Sequence, residues 1–499
     1  SHLLEKIDKS LGTSSHASTD LKAIFENETE YTAWKNRMAG NKIKKAEMKA
    51  GEQDVFIGID SGSTTTKIVV IDTDSRLLYS YYNNNGGNAI KTVEEGLNEL
   101  YETCRKRGAI LHIKGSCSTG YGEDLIKSAF QLHSGIIETI AHYMAAQYLD
   151  KQVSFILDIG GQDMKAIFVN KGVIDRIEIN EACSSGCGSF IETFARSLGY
   201  TVSDFSLAAC RSSVPSNLGT RCTVFMNSKV KQELRDGATV NDIAAGLAYS
   251  VVKNCLYKVL KLKDISTLGK NIVVQGGTMR NDAIVRALEI LAGAEVSSCD
   301  KPELMGAFGC ALYAMQHQGV SIRLDEIIAK AQYTSRFLRC KGCDNQCLVT
   351  CYQFGNGKKY YSGNRCEKVF TNGENNGCKG ENVYHQKNEL LFNRNTEIIH
   401  PRMTIGIPRC LNMYEEYPFW HTLFTTCDIQ VCLSDVSNFL SYENSARMVM
   451  SDNICFPAKL VHSHISNLLQ KKVDRIFMPF VVFEKKDCSS SNAEISLSA

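Results

Sequence analysis

Two kinds of hydrophobic pattern alternate between residues 51 and 320 of the 499-residue chain. Short apolar runs beside turns rich in Gly, Ser and Thr predict strands, and apolar residues at helical spacing predict helices. The predicted strands are residues 55–59, 67–71, 154–157, 164–169 and 272–274. The predicted helices are residues 136–148, 190–198, 243–259 and 283–292. This mixture indicates an α/β domain.

One strand–turn–strand arrangement occurs twice in this region. Asp60-Ser61-Gly62 ends the first strand of one pair, and Asp158-Ile159-Gly160-Gly161 ends the first strand of the other. In each pair the second strand carries a lysine, which is Lys67 in the first pair and Lys165 in the second. Duplication of this unit predicts two similar lobes with a cleft between them.

The regions on either side of this domain have different patterns. Residues 1–50 are polar and helix-prone, and we interpret them as a linker plus the tail of a preceding domain. Residues 321–335 predict a helix leading out of the domain, so we divide the chain into 1–50, 51–325 and 335–499. In the last region, residues 403–407 predict a strand. His462 and His464, two positions apart, predict a solvated pair on a helix.

Composition narrows the function classes. The formal net charge is only +2 and is spread along the chain, so nothing indicates nucleic acid or an anionic membrane as a partner. The chain has no apolar run long enough to span a bilayer, and its first residues lack a signal-peptide pattern, so we expect a cytoplasmic protein. Twenty cysteines then indicate metal binding or redox chemistry, although some, such as Cys255 and Cys310, fit small buried hydrophobic positions.

The turn after Asp60 has the chemistry that a polyphosphate needs. Gly62 lets the backbone approach closely, and successive N–H groups and hydroxyls can surround phosphate oxygens. Asp60, at a strand end, can hold Mg²⁺ through its water shell. The candidate phosphate-binding residues are Ser61, Gly62, Ser63, Thr64, Thr65 and Lys67. The alternative is an ordinary hairpin turn, since the spacing of a Walker loop is missing.

Two further elements favour the nucleotide interpretation. In residues 158–163, Asp158 can serve Mg²⁺ or an attacking water, and Gln162 can orient that water. Gly160, Gly161 and Asp163 are the remaining candidates in this turn. Gly276 and Gly277 offer a flat glycine surface for a nucleoside. The candidate catalytic residues are therefore Asp60, Asp158 and Gln162.

Two cysteines lie just before predicted helices. Cys183 is in a glycine-rich loop that opens one helix, and Cys222 precedes another. Helix N-termini carry partial positive charge, which lowers thiol pKa values and favours an anionic ligand such as an iron–sulfur cluster. A four-iron cluster needs four thiolates, which two chains can supply across a two-fold axis. The alternative is a pair of free thiols in loops.

The three glycine-containing elements resemble the phosphate-one, phosphate-two and adenosine motifs of the actin and sugar-kinase superfamily. Residues 57–314 resemble more specifically the ATP-dependent activators of 2-hydroxyacyl-CoA dehydratases and the related ATPase subunits of benzoyl-CoA reductase. The segments that carry this resemblance are 58–64, 119–122, 138–142, 158–163, 180–183, 221–225 and 276–277.

This resemblance implies a two-lobed actin/sugar-kinase-like (ribonuclease H-like) ATPase domain, followed by a cysteine-rich α/β domain. It implies ATP, Mg²⁺ and one four-iron four-sulfur cluster at a homodimer interface, with Cys183 and Cys222 at the ligand positions and Cys187 as an additional thiol. In such proteins nucleotide turnover closes or rotates the lobes and pushes one electron to a partner. The implied partner is an iron–sulfur protein of the acyl-CoA dehydratase or reductase type, and the implied donor is a ferredoxin or flavodoxin.

The last region has its own candidate metal site. Cys340, Cys343 and Cys347, together with Cys366, have ligand spacing suited to zinc or an iron–sulfur cluster, with free thiols as the alternative. The pattern resembles the domain that follows the activator part in long, fused family members. We therefore expect that both ends of a longer protein are missing from this chain.

Two alternatives remain open for the whole chain. A small-molecule kinase of the same fold, of the amino-sugar type, would use the ATP motifs but leave Cys183 and Cys222 without a function. A nucleotide-regulated scaffold would bind zinc through its C-terminal cysteines. The identity of the bound metal separates the scaffold from the electron-transfer protein.

Overall fold

The computed structural model describes residues 21–180, 187–220, 223–343, 345–366, 368–372, 383–394, 397–450 and 454–480. The chain separates into two compact units. The first comprises residues up to Ser335 together with Tyr352–Tyr360, and the second comprises Arg336–Cys351 and residues from Tyr361 onward. Within the described ranges, no helix has the length and apolar character needed to cross a membrane.

The strands alternate with helices along the first unit and continue into the second. In chain order they are β1 (Gly51–Ser61), β2 (Thr65–Asp72), β3 (Leu77–Asn84), β4 (Ala109–Thr119), β5 (Ser134–Gly135), β6 (Phe155–Ile159), β7 (Met164–Asn170), β8 (Val173–Asn180), β9 (Ile272–Gln275), β10 (Val296–Ser298), β11 (Ile322–Arg323), β12 (Tyr333–Arg339), β13 (Leu348–Phe354), β14 (Lys359–Ser362), β15 (Met403–Ile407), β16 (Ile429–Leu433) and β17 (Arg475–Ile476).

The α-helices are numbered in the same way. They are α1 (Glu28–Met38), α2 (Ala89–Arg107), α3 (Glu123–Phe130), α4 (Glu138–Leu149), α5 (Gly188–Ser197), α6 (Val202–Cys210), α7 (Thr223–Arg235), α8 (Val240–Lys253), α9 (Asp282–Ala292), α10 (Met305–Gln316), α11 (Leu324–Ala329), α12 (Val383–Phe392), α13 (Met413–Thr426), α14 (Phe439–Ser445) and α15 (Phe456–Gln470). A π-helix, Asn254–Val259, continues α8, so the predicted helix over residues 243–259 is confirmed but changes type near its end.

The first unit contains two sheets that share the topology of four of their strands, whereas the outer strand is antiparallel in one sheet (β11 beside β4) and parallel in the other (β10 beside β9). One has the order β11-β4-β1-β2-β3, with β5 beside β4, and the other has the order β10-β9-β6-β7-β8. In both, three antiparallel strands are followed by a strand parallel to the first of them, β4 beside β1 and β9 beside β6. This duplication confirms the predicted two-lobed α/β fold. We call the part built on β1 the first lobe and the part built on β6 the second lobe.

Helix α10 lies unusually close to its neighbours because glycines remove the intervening side chains. A Cβ atom on Gly58 of β1 would lie 1.9 Å from the carbonyl oxygen of Ala307, and one on Gly309 would lie 1.8 Å from that of Ala141 in α4. These positions exclude any larger residue without backbone movement. The close packing brings α4 and α10 together with β1, next to the candidate nucleotide site.

Residues 21–50, which we call the N-terminal segment, pack on both lobes of the first unit. Trp34 of α1 is buried in the core of the second lobe. Further along, the backbone of Lys44 accepts a hydrogen bond from Leu77 of β3, and Ala46 donates one back to the Leu77 carbonyl, at 2.8 and 3.1 Å. Met48 is buried in the core of the first lobe. The segment therefore connects the two lobes directly.

The second unit contains a small parallel sheet with the order β16-β15-β17. Its core includes Phe392, Ile407, Met413 and Tyr417. The predicted strand over residues 403–407 is confirmed as β15. A separate three-stranded sheet has the order β12-β13-β14.

Two predictions about local structure are wrong in part. The predicted helix over residues 321–335 is limited to α11, because β11 precedes it and β12 begins at Tyr333. His464 is not solvated but only 3% exposed, since α15 turns this side chain toward the loop after β16.

Candidate functional site

The two hairpins place an acid and a lysine opposite each other in each lobe. Asp60 of β1 pairs with Lys67 of β2, and Asp158 of β6 pairs with Lys165 of β7. Directly opposite residues in antiparallel strands project from the same face of the sheet. The internal repeat predicted from sequence therefore extends to the geometry of the acid–lysine pairs.

Asp60 has one carboxylate oxygen engaged and one unsatisfied. Its Oδ2 accepts from Nζ of Lys67 at 3.1 Å, whereas its buried Oδ1 has no hydrogen-bond partner among the described residues. Burial opposes the charge on Lys67, but the Asp60 carboxylate outweighs it and raises the lysine pKa. A buried, unpaired carboxylate oxygen is costly, and a hydrated cation would satisfy it. The donor chemistry at Asp60 thus fits Mg²⁺.

The turn after Asp60 is fixed by hydrogen bonds to Asn85, and the side chains at its tip are exposed. The Asn85 side-chain amide donates to the Gly62 carbonyl at 2.8 Å and accepts from Oγ1 of Thr66 at 2.7 Å. Ser61 is buried beside Thr66, whereas Ser63 and Thr64 are exposed and Thr65 is half-buried. The exposed hydroxyls are therefore the ones available to a phosphate.

The corresponding turn of the second lobe is fixed by its neighbours. The Gly160 carbonyl accepts from the Gly188 N–H at 3.0 Å and from the Thr278 hydroxyl at 2.9 Å. Gly161 and Gln162 are exposed, and a Cβ on Gly161 would meet no described atom within 4 Å. This turn has a rigid backbone and an open face, which suits the approach of a ligand.

Replacing Gly276 with any residue that has a side chain would distort the backbone around it. It adopts φ +90°, and a Cβ would lie 2.3 Å from the Ile159 carbonyl and 2.6 Å from Oδ1 of Asp158. Gly277, by contrast, would place a Cβ no closer than 4.0 Å to the Glu303 side chain. The predicted glycine surface therefore lies directly against the strand end that carries Asp158.

The structure adds a buried charge network that the sequence prediction missed. Nε2 of His142 lies 3.5 Å from both Glu138 Oε1 and Asp158 Oδ2, and Nζ of Lys165 lies 3.1 Å from Glu138 Oε2. Lys165 also pairs with Asp163. Glu138 and His142 are four residues apart on α4, so one helix face presents both. The four-residue spacing of Glu138 and His142 was the one sign of this network in the sequence. The same spacing also occurs on helix faces that are exposed to solvent, so it could not identify a buried charged pair.

Charge coupling in this network shifts the proton affinities of its members. Burial alone would lower the His142 pKa, but Asp158 and Glu138 outweigh burial and raise it to about 9. Burial alone would raise the Glu138 pKa, but His142 and Lys165 lower it to about 2. Burial raises the pKa of Asp158 despite the opposing charges of His142 and Lys165. Asp158 is therefore the carboxylate of this site best suited to accept a proton.

The same residues form a group that could coordinate a metal. One ligand atom each from Glu138, His142 and Asp158 lie within 4.8 Å of one another. His142 and Lys165 already contact the carboxylates of this group, however, at 3.1–3.5 Å. A divalent ion would have to displace these contacts, so the unsatisfied oxygen of Asp60 is the better cation position.

The predicted cluster ligands Cys183 and Cys222 lie outside the described residues. Helix α5 begins at Gly188, shortly after Cys183, and α7 begins at Thr223, directly after Cys222. Both helices were expected at these places. Cys187 is fully buried in the second lobe core, where it precedes α5 and lies near Cys255.

The four candidate ligand cysteines of the C-terminal region differ in their exposure to solvent. The backbone N–H of Cys340 donates to the Cys347 carbonyl at 2.8 Å, and Cys340 is buried whereas Cys343 and Cys366 are exposed. Among the described side chains, these thiols do not form a group of three or more ligand atoms within 4.8 Å of one another. The second metal site stays a prediction.

Known proteins resemble the first unit most clearly. The (R)-2-hydroxyglutaryl-CoA dehydratase activating ATPase of Acidaminococcus fermentans is 29% identical over 258 residues, which cover 52% of this chain and 96% of the relative. The 2-hydroxyisocaproyl-CoA dehydratase activator of Clostridioides difficile is 30% identical over 261 residues, covering 52% and 94%. The crystal structure of component A of the A. fermentans dehydratase superimposes with a TM-score of 0.47 at 27% identity, covering 53% and 98%.

Family models match both units. Residues 404–495 match an uncharacterised domain of CoA enzyme activases. Residues 57–314, more than half of the chain, match the BadF/BadG/BcrA/BcrD ATPase family. This match includes both acid–lysine hairpins and the Gly276 turn, and the chain therefore belongs to the BadF/BadG/BcrA/BcrD ATPase family.

Proposed function

We propose that this ATPase drives low-potential electron transfer from an iron–sulfur cluster to a partner of the 2-hydroxyacyl-CoA dehydratase type. The single observation that carries the proposal is the match of 52% of the chain to relatives that are themselves named dehydratase activators. A further relative, one of the subunits that make up the benzoyl-CoA reductase of Thauera aromatica, is 25% identical over 290 residues. This relative supports a second candidate for the partner, a reductase-like protein that would receive the electron in place of a dehydratase.

The nucleotide would bind between the two hairpins. Asp60 has an unsatisfied buried oxygen for hydrated Mg²⁺, and the exposed Ser63 and Thr64 can donate to phosphate oxygens. Gly276 and Gly277 would face the nucleoside. Asp158, whose pKa is raised by burial, would accept the proton of the attacking water, and the exposed Gln162 would orient that water.

The cluster assignment is supported by the two helix N-termini. Helix α5 begins five residues after Cys183 and α7 begins directly after Cys222 in the chain, and the partial positive charge at a helix start would stabilise a nearby thiolate. Two thiolates per chain are half of what a four-iron cluster needs, so two chains would share one cluster as a homodimer. A bound cluster would supply a one-electron carrier, loaded by a ferredoxin or flavodoxin.

Nucleotide turnover fits the energy that such a transfer requires. For one electron, a potential gap of about 300 mV corresponds to about 7 kcal/mol. A passive carrier cannot move electrons against that gap, whereas a protein whose lobes respond to ATP can couple the two steps. The two lobes of the first unit would be the parts that move relative to each other when ATP binds and is hydrolysed.

The test is metal analysis of protein purified without oxygen. Iron, acid-labile sulfide and zinc would be measured for the wild type, for the Cys183→Ser, Cys222→Ser double variant, and for a Cys340→Ser, Cys343→Ser variant as a matched control. We expect about four irons per dimer in the wild type and control, and none in the first double variant. Iron that survives in the first variant and disappears in the second would move the cluster to the C-terminal cysteines. Absence of iron from all three proteins would contradict the proposal.

A further inference from the structure

The carboxyl edge of the β16-β15-β17 sheet gathers polar groups that the proposed function does not use. Arg409 follows the end of β15, and Ser434 directly follows the end of β16. In open parallel sheets, ligands bind in the crevice outside the carboxyl ends of the strands. This edge is therefore where a ligand site of the second unit is expected.

His464 is held between two serine hydroxyls at this edge. Its Nδ1 lies 2.8 Å from Oγ of Ser434, and its Nε2 lies 2.9 Å from Oγ of Ser437. Burial, and then the nearby Arg409 charge, lower the His464 pKa, so the ring is neutral at pH 7. A neutral imidazole donates from one nitrogen and accepts at the other, so the ring fixes both hydroxyls. Ser434 is buried, whereas Ser437 is half-buried and accessible.

Arg409 brings a positive charge to the same place, and no carboxylate in the part of the chain that the structure describes forms an ion pair with it. Its backbone N–H donates to Oγ of Ser434 at 2.7 Å, and its guanidinium lies over the Phe392 ring, 4.1 Å from the centroid. Its buried Nε has no hydrogen-bond partner among the described residues. The carboxylate of neighbouring Asp435 is already occupied by Nζ of Lys471 at 2.7 Å and by Asn467 at 2.8 Å.

The half-buried Arg409 side chain, with an unpaired Nε, belongs to the residue whose backbone N–H contacts Ser434, and its donors match the oxygens of an acidic group. Guanidinium recognises phosphate and carboxylate through parallel N–H donors, and hydroxyls add further hydrogen bonds. We propose that Arg409, Ser437 and the hydroxyl-orienting His464 bind the phosphate or carboxylate group of an acidic small molecule at the carboxyl edge of this sheet.

The test is calorimetric titration of the full chain with inorganic phosphate and, separately, with coenzyme A, which carries several phosphates. A saturating non-hydrolysable ATP analogue with Mg²⁺ occupies the nucleotide site throughout. Arg409→Gln removes the charge, and Arg402→Gln is the matched control because Arg402 is exposed at the opposite end of β15. We expect one binding event that is unchanged in the control and at least about tenfold weaker in Arg409→Gln, the loss of about one good charged hydrogen bond.

The two probes separate the sources of the acidic group. Binding of coenzyme A at least tenfold tighter than phosphate would assign the site to a group carried on a larger molecule, and equal affinities would assign it to the free anion. If Arg409→Gln fails to fold by circular dichroism, Ser437→Ala carries the test, with an expected weakening of several-fold. Equal affinity in the wild type and in a folded variant, or no binding of either probe at millimolar concentration, would overturn the proposal.

Discussion

Nδ1 of His142 lies 2.5 Å from Oε1 of Gln275, and the side-chain amide of Gln275 donates back to the His142 carbonyl at 3.0 Å. This double contact fixes α4 to β9, directly beside Gly276. Since Nε2 of the same ring faces Asp158 and Glu138, both ring nitrogens face acceptors. The doubly protonated ring is the form that satisfies all three contacts. His142 thus connects the glycine turn, the second-lobe acid and the helix between the lobes.

That connection predicts how stability depends on pH. The His142 pKa is about 9 in the fold, above its ordinary value of 6.5, so its stabilisation is complete below pH 6.5 and disappears as pH rises through 9. The difference corresponds to on the order of 3 kcal/mol. Denaturant unfolding without nucleotide or Mg²⁺ should show this loss in the wild type. His142→Gln should be less stable at pH 6.5, with the gap shrinking toward pH 9.

A matched control is His317→Gln, since His317 is exposed. It should follow the wild-type pH profile. A wild type whose unfolding free energy is flat from pH 6.5 to 9 would contradict the charged His142.

Asp158→Asn should reduce ATP hydrolysis strongly. Removing a proton acceptor from a water-activating position typically costs about 10²- to 10⁴-fold in rate. Single-turnover hydrolysis measures that loss, and binding of a fluorescent ATP analogue should change much less. Asp175→Asn, on the partly exposed face of β8, is the control and should behave as the wild type. Unchanged hydrolysis in Asp158→Asn would remove Asp158 from the catalytic role.

Gly276→Ala should damage both the fold and nucleotide binding. A Cβ there collides with the Ile159 carbonyl at a positive φ. Gly293→Ala, also at positive φ (+64°) but with no described atom within 4 Å, isolates the conformational cost of about 1–2 kcal/mol. We expect Gly276→Ala to lose at least twice as much free energy of unfolding as Gly293→Ala, measured by thermal unfolding. Equal losses in the two variants would show that the collision is relieved without consequence.

Glu289 should be important for anchoring the N-terminal segment. This buried carboxylate accepts from Trp34 Nε1 at 2.8 Å and Arg286 at 3.0 Å, and it pairs with Arg37. Glu289→Gln should lower the free energy of unfolding by about 3 kcal/mol, because buried pairs lose that much when one partner is removed. Glu295→Gln, whose exposed carboxylate lies 3.7 Å from Arg37, should lose less than about 1 kcal/mol. A similar loss of unfolding free energy in both variants would contradict the role of Glu289 in anchoring the N-terminal segment.

Cys187→Ala should retain the iron of the wild type. The Cys187 side chain is fully buried in the second lobe core, so its removal leaves a small cavity worth about 1 kcal/mol. Iron analysis alongside thermal unfolding separates this packing role from ligation. Loss of iron in Cys187→Ala equal to that in the Cys183→Ser, Cys222→Ser double variant would make Cys187 a ligand instead.

The sequence was most informative where contacts are local. The hairpins around Gly62 and Gly160 follow from apolar runs flanking turn residues, and the structure confirms both. The contact between His142 and Gln275 joins positions 133 residues apart, which no periodicity encodes. His464 was misjudged for a related reason: its helix face is covered by Ser434 and Ser437 from a distant loop. The contact between Trp34 and Glu289 of α9 likewise joins residues far apart in the chain, so the local sequence pattern did not predict it.

The N-terminal segment has a consequence for the range of motion between the lobes. Met38 ends a helix anchored to Glu289 in the second lobe, and Lys44 is bound to Leu77 in the first. The six residues from Ala39 to Lys44 reach at most about 21 Å when fully extended. While both attachments hold, the contour length of this short link sets an upper limit on how far the cleft can open on that side, whatever nucleotide is bound.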